Sequence, residues 1–197
     1  MLNRLFGRVL PGLGPTGPIG VTVLVPGGLS HRLVDAILGQ VPRNLWSFRF
    51  GTPIEGTNWH IWHEWHDMPF PVFDQTLVLF SAADYPVSGV AGGCAGTRYS
   101  VAVFGGESDE VLGLRCWHEL LHGLPGSESA DAMLESTAFL EFLQAHYPAT
   151  YAIFTSDPER FRHDPRPQRL FYTMLTNAFA RRTGRPLLAL PPEPALD

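Results

Sequence analysis

Up to about residue 104 the apolar positions come in short runs or alternate, and from residue 108 they recur at helical spacing. Val21-Thr22-Val23-Leu24-Val25, closed by Pro26-Gly27-Gly28, predicts a buried strand. Ser30 stands in capping position before Leu33, Val34, Ala36, Ile37 and Leu38, so a helix is expected there, ended by Gly39 and Pro42. Leu45 to Phe50 alternates and predicts a second strand. This strand–helix–strand opening favours parallel pairing through a right-handed crossover. Trp59 to His66 is extended by composition, and Thr76–Phe80 and Tyr99–Phe104 read as further strands. Residues 86–97 are small and Gly-rich, which suits an irregular edge strand with an accessible backbone.

After Ser108 the side chains of Val111, Leu112, Leu114, Trp117, Leu120 and Leu121 surround the axis of a helix buried on most sides, stopped by Gly123–Gly126. A second amphipathic helix is predicted from about Ser129 to Tyr147, before Pro148. A polar loop from Asp157 precedes a helix from about Gln168 to Arg182, and a loose tail follows at Pro191–Pro194. The expected organisation is a Pro/Gly-rich lead-in (1–20), a mixed-sheet unit (21–123), a small helical unit (124–185) and a Pro-rich tail (186–197). The fold class is α+β.

Composition narrows the function. With 197 residues, 45% apolar and 12% aromatic, the chain can bury a core, which excludes a disordered, collagenous or coiled-coil protein. All 14 basic residues are Arg and the net charge is −5, so no surface that tracks nucleic-acid phosphates is expected. Cys94 and Cys116 cannot form a disulfide framework and are expected to be buried thiols, with a single bridge as the alternative. Pro11, Gly12, Gly14, Pro15, Gly17 and Pro18 interrupt any apolar segment after the basic N-terminus, so no signal peptide is expected. No apolar run approaches the roughly 20 residues that span a bilayer. The expectation is a cytoplasmic or otherwise soluble protein without a membrane partner.

The buried helix carries the chemistry. Trp117-His118-Glu119-Leu120-Leu121-His122-Gly123 contains H-E-x-x-H, a pattern expected by chance in about 2% of chains of this composition. Residues four apart share a helix face, so His118 and His122 can present two imidazoles to one metal ion. Glu119, beside His118, can reach a water held there. Zinc lowers the pKa of such a water to about 7, and a carboxylate can take its proton as it attacks a carbonyl. Zn2+ is therefore the expected cofactor, with His118 and His122 as ligands and Glu119 as the catalytic base.

With these residues in place, the order strand, helix, strand, strand, Gly-rich edge strand, strand, H-E-x-x-H helix resembles the N-terminal subdomain of zincin metallopeptidases. Ser88-Gly89-Val90-Ala91-Gly92-Gly93 followed by Tyr99–Phe104 is similar to the edge strand and next strand of metzincins, particularly archaemetzincins. The resemblance implies a zincin-like mixed sheet, a zinc-dependent peptidase, and a peptide or protein substrate lying extended along Gly89, Val90, Ala91 and Gly92. Where metzincins carry a third His, this chain has Glu128. On the second helix Asp131 and Glu135 share a sector with Ala138, Phe142 and Ala145, an arrangement similar to gluzincins, in which a second helix carries the acidic ligand. Asp131 is the favoured third ligand and Glu128 and Glu135 are alternates. An N-cap role for Asp131 and an Arg pair for Glu135 are the structural readings of the same residues.

His60, His63 and His66 interleave with Trp59, Trp62 and Trp65, but a strand would put His63 on the opposite face, so sheet packing is expected rather than a second metal site. Tyr147 and Tyr172 are candidates to stabilise an oxyanion. Two other functions share these residues: a non-catalytic binding or structural protein with a zincin-like fold, and a zinc hydrolase of non-peptide amides.

Overall fold

The computed structural model describes residues 17–61, 75–87, 90–124, 137–157 and 164–193. The chain forms a mixed α+β structure whose packing divides it after Gly123 into two units. The N-terminal unit holds strands β1 (Ile19–Leu24), β2 (Trp46–Phe50), β3 (Gln75–Ser81), β4 (Gly92–Ala95) and β5 (Arg98–Val103), with helices α1 (His31–Leu38) and α2 (Asp109–His122). The strands form one sheet in the order β2-β1-β3-β5-β4. The first three pairings are parallel and β4 runs antiparallel at the edge.

Register sorts the side chains onto two faces. Cross-strand partners Val23, Leu77 and Tyr99 share one side with Leu79 and Val101, and all five are buried. Gly92 pairs with Val101, and a Cβ on Gly92 would point at Glu119 of α2, so this is the face that α2 covers. The opposite face carries Leu24, Val78 and Phe80, against which Trp59 and Tyr85 pack. The Trp59 and Tyr85 rings both stand edge-on to Phe80, with centroids 6.4 Å and 5.7 Å away.

Local signals explain the helices. Ser30 Oγ accepts from Leu33 N at 3.3 Å and caps α1, as its position predicts. Ser108 Oγ does the same for α2 through Val111 N at 3.3 Å, with Asp109 and Glu110 in the positively polarised first turn. At Gly113 a Cβ would meet Ile37 O at 2.6 Å, so the absence of a side chain there lets α1 and α2 approach closely.

The C-terminal unit contains α3 (Thr137–His146), α4 (Pro148–Ser156) and α5 (Pro165–Thr183). Phe139 of α3 and Phe171 of α5 meet with centroids 4.9 Å apart, beside buried Leu143, Ile153 and Leu170. Gly184, at φ +69°, adopts the left-handed cap that ends α5 and donates its N–H to Ala180 O.

Four expectations require correction. Residues 58–61 form a turn rather than an extended run, with Asn58 Oδ1 accepting from His60 N at 3.3 Å; Trp62, His63, Trp65 and His66 lie outside the described residues. A helix, α4, begins at Pro148, because proline at a first helical position gives up an N–H that would have had no helical partner. On α3 the buried stripe is Phe139 and Leu143, whereas Phe142 is half-buried and Ala145 exposed, so the predicted sector sits off the buried face. The tail is held rather than loose. Asn177 Nδ2 donates to Leu188 O at 2.9 Å, Asn177 Oδ1 accepts from Leu188 N at 2.7 Å, and Glu193 Oε1 caps α4 through Ala149 N (2.6 Å) and Thr150 N (3.2 Å). No helix among the described residues is long and apolar enough to cross a membrane.

Replacing Asn177, which is 5% exposed, removes both tail bonds and strands the Leu188 peptide. Asn177→Ala is expected to lower unfolding free energy by about 2–3 kcal/mol, measured by chemical denaturation. An unchanged midpoint would show that the two Asn177–Leu188 bonds contribute nothing.

Candidate metal centre

Helix α2 is fastened at several points before its histidines are reached. Arg115 donates to Ala102 O at 2.8 Å and to both carboxylate oxygens of Glu107, at 3.0 and 2.7 Å, and lies over the Phe104 ring at 5.2 Å. This planar fork ties the middle of α2 to the end of β5. At the far end, a Cβ on Gly123 would overlap the Tyr99 hydroxyl, so the helix stops on a residue without a side chain directly against β5. Leu112, Leu114, Trp117, Leu120 and Leu121 fill the buried sides, which leaves little freedom to rotate about the helix axis.

In that fixed orientation His118 and His122 project together and are half-buried. Their Nε2 atoms face each other at 2.9 Å, with ring centroids 4.6 Å apart and planes at 80°. Both rings thus turn the same nitrogen toward each other. Tetrahedral zinc, with Zn–N of about 2.0–2.1 Å, sets two imidazole nitrogens roughly 3.3 Å apart. The observed pair reaches that separation by opening a few tenths of an ångström, a small ring rotation. The two donors fit zinc in type and, after that small opening, in spacing.

Glu119 follows His118 and is 6% exposed. Its side chain rests against the backbone of β4: the three nearest atoms to a hypothetical Cβ on Gly92 are Glu119 Oε1, Cδ and Cγ. Its charge is felt by three protonated neighbours. Burial chiefly raises the Tyr99 phenol well above its ordinary range, with Cys94 and Glu119 adding to the effect. Burial likewise raises Tyr85, and Glu119 adds to that, while the hydrogen bond to Ser100 Oγ at 2.8 Å and the charge of Arg115 oppose it. The buried Cys116 thiol is pushed up to about 12 by desolvation, with Arg115 opposing and Glu119 adding. None of the three supplies a base at neutral pH.

Strand β4 brings its peptide groups to the same place. Ala91 O accepts from Ala102 N at 2.9 Å, which identifies Ala91 as an inward-bonded position. Antiparallel alternation then directs the N–H and C=O of Gly92 and Cys94 away from β5, along the outer edge of the sheet. Val90 is 44% exposed.

The structure therefore brings His118 against His122 and, one residue along the same helix, Glu119 against Gly92, with Ala91 bonded to β5 beside it. Gly89, Glu128, Asp131 and Glu135 lie outside the described residues. Among the described residues no group of three or more His, Cys, Asp or Glu side chains is placed to hold a metal ion. Tyr147 and Tyr172 belong to the C-terminal unit, where Tyr147 precedes α4 and Tyr172 is buried. The cysteines remain separate thiols, and Cys94 is exposed on β4, contrary to the expectation of burial, because an edge strand lacks a neighbour on one side. Sequence reading overlooked the contacts of Gly92 and Gly123. The double glycine of the edge strand was the available signal for the first, and no local pattern announces the second.

Comparison with protein-family models, curated proteins and solved structures finds no match to this chain, so its functional reading rests on the residues themselves.

Three outcomes follow from this packing. A thiol reagent at pH 8 should label one cysteine per native chain, Cys94, and reach Cys116 only on unfolding. Rapid labelling of both would contradict the burial of α2. Among the described residues the buried Tyr99 hydroxyl has no hydrogen-bond partner, so Tyr99→Phe should leave the melting temperature unchanged or raised. Gly123→Ala should cost about 1–3 kcal/mol through overlap with the same ring, read by denaturant titration.

Proposed function

We propose that the protein is a zinc-dependent hydrolase of peptide bonds. The supporting observation is the convergence of His118 Nε2 and His122 Nε2, 2.9 Å apart on a helix locked in rotation, beside a buried carboxylate that abuts the sheet edge. His118 and His122 would hold the ion. A carboxylate beyond Leu124 would complete the set, with Asp131 favoured over Glu128 and Glu135. Zinc bound there supplies Lewis acidity, polarising a carbonyl and bringing the pKa of water to about 7.

The chain's own residues do the rest. Glu119 Oε accepts the proton of the attacking water and returns it to the leaving amine nitrogen, one carboxylate serving as base and then acid. The outward peptide groups of Gly92 and Cys94 hydrogen-bond an extended substrate backbone, in the manner of an added strand. The mixed sheet with its single antiparallel strand at the edge, flanking the H-E-x-x-H helix, supports the zincin-like reading drawn from the sequence. The His–His contact supports a second reading as well: without metal, one Nε2–H donates to the other Nε2, and the helix belongs to a non-catalytic protein with the same fold.

Metal content and hydrolysis separate these readings. The protein purified from zinc-containing medium should hold one zinc per chain and cleave a peptide library. Glu119→Gln should retain the zinc and lose hydrolysis by a factor of about 100–10,000, the range for a general base. Zinc with activity confined to small amides would point to a non-peptide hydrolase. Full activity in Glu119→Gln would reject the mechanism, and a metal-free folded protein would favour the non-catalytic reading.

A further inference from the structure

Gly92 is a glycine for a reason its backbone does not explain. Gly28, Gly56, Gly96, Gly106 and Gly184 adopt positive φ, where other residues are strained, and Gly92 does not. It lies within β4, in a conformation any residue accepts. What it lacks is room. A Cβ there would overlap Glu119 Oε1 and lie 3.0 Å from Cδ and 3.2 Å from Cγ. Those three atoms are the nearest neighbours of the site, so one carboxylate and its stem account for the constraint.

Of the two groups that would meet, the Glu119 side chain is the one that can move. It is 6% exposed, between half-buried His118 and fully buried Leu120 on α2. The Arg115 fork and the close approach of Gly113 to α1 hold the helix itself. A side chain at position 92 would therefore be accommodated by swinging the carboxylate away from β4.

We propose that Gly92 is a positioning residue for Glu119: by lacking a side chain, it makes the edge strand the seat of the carboxylate and fixes where the base stands beside His118 and His122. The catalytic part rests on reading Glu119 as the base; the seating itself does not. The register adds a consequence. Gly92 also turns its N–H and C=O away from β5, so the residue that seats the base is the one that would hydrogen-bond a substrate backbone. The position of the base and the position of the substrate are thus set by a single residue. A displacement of the carboxylate changes the chemical step more than substrate binding, because the outward peptide groups remain when a methyl is added on the helix-facing side.

The test is a double-mutant cycle on the full chain combined with kinetics. Gly92→Ala should lower the melting temperature in the parent protein and have little effect in a Glu119→Ala background, where the overlapping atoms are gone. Zinc content should be retained. On a peptide cleaved by the parent, Gly92→Ala should reduce kcat by about 100-fold, the scale of an ångström-sized misplacement, with KM changed much less. Equal destabilisation in both backgrounds, or an unchanged kcat, would overturn the proposal. If Gly92→Ala does not fold, Gly92→Ala/Glu119→Ala must fold, and failure of both also overturns it. If the parent cleaves no peptide, the hydrolase reading fails by itself and the thermal cycle alone decides whether Gly92 seats Glu119.

Discussion

Rotation about the axis of α2 is the constraint on which the candidate site depends. Two histidines four residues apart share a helix face in any sequence, but their nitrogens converge beside a chosen carboxylate when the helix cannot turn. Three contacts remove that freedom. Arg115 clasps the end of β5 through Ala102 O and Glu107, Gly113 lets α1 approach, and Gly123 stops the helix against Tyr99. The apolar residues between them supply most of the burial energy, while the glycines and the arginine decide the angle. This is how a helix with Trp117 and Leu121 buried keeps His118 and His122 turned to a half-buried position.

In the proposed mechanism the edge strand would convert that angle into a reaction geometry. β4 is four residues long and pairs on one side only, with β5. A short edge strand is a weak element for stability and a suitable one for binding, because alternate peptide groups face outward. Here the same strand carries a residue with no side chain where the carboxylate of Glu119 arrives. The sheet edge therefore acts on both partners of the proposed reaction, from opposite sides of one glycine. Tyr85, Tyr99 and Cys116, all held protonated chiefly by burial, feel the charge of the carboxylate without competing with it as bases.

Much of this was legible in the chain, for reasons that differ by element. The run Val21–Val25, the capping Ser30, the helical period that starts after Ser108 and the parallel β1–β2 pairing are local or near-local, and the structure has β1 over Ile19–Leu24, the Ser30 cap, a helix from Asp109 and that pairing. H-E-x-x-H was legible because helical periodicity alone brings its members together. The turn at 58–61 was obscured by aromatic composition, which favours strands but does not enforce one where Asn58 caps its own turn. The tail was misread because Pro-rich composition conceals the bonds of Asn177 and Glu193, made to residues 11 and 44 positions away in sequence. The seat of Glu119 on Gly92 was invisible for the same reason: 27 positions separate the two residues, and a glycine's reason for being glycine lies in whatever stands opposite it. The acids proposed as third ligand lie beyond Leu124, Asp131 and Glu135 drawn from helical spacing and Glu128 from the resemblance to metzincins.

The most direct measurement of the central claim is zinc K-edge X-ray absorption on the protein loaded with one equivalent of the ion. The account predicts a first shell of nitrogen and oxygen at about 2.0–2.1 Å with the outer-shell scattering of two imidazoles, reduced to one in His122→Ala. A spectrum without imidazole scattering, or one that His122→Ala leaves unaltered, would contradict it.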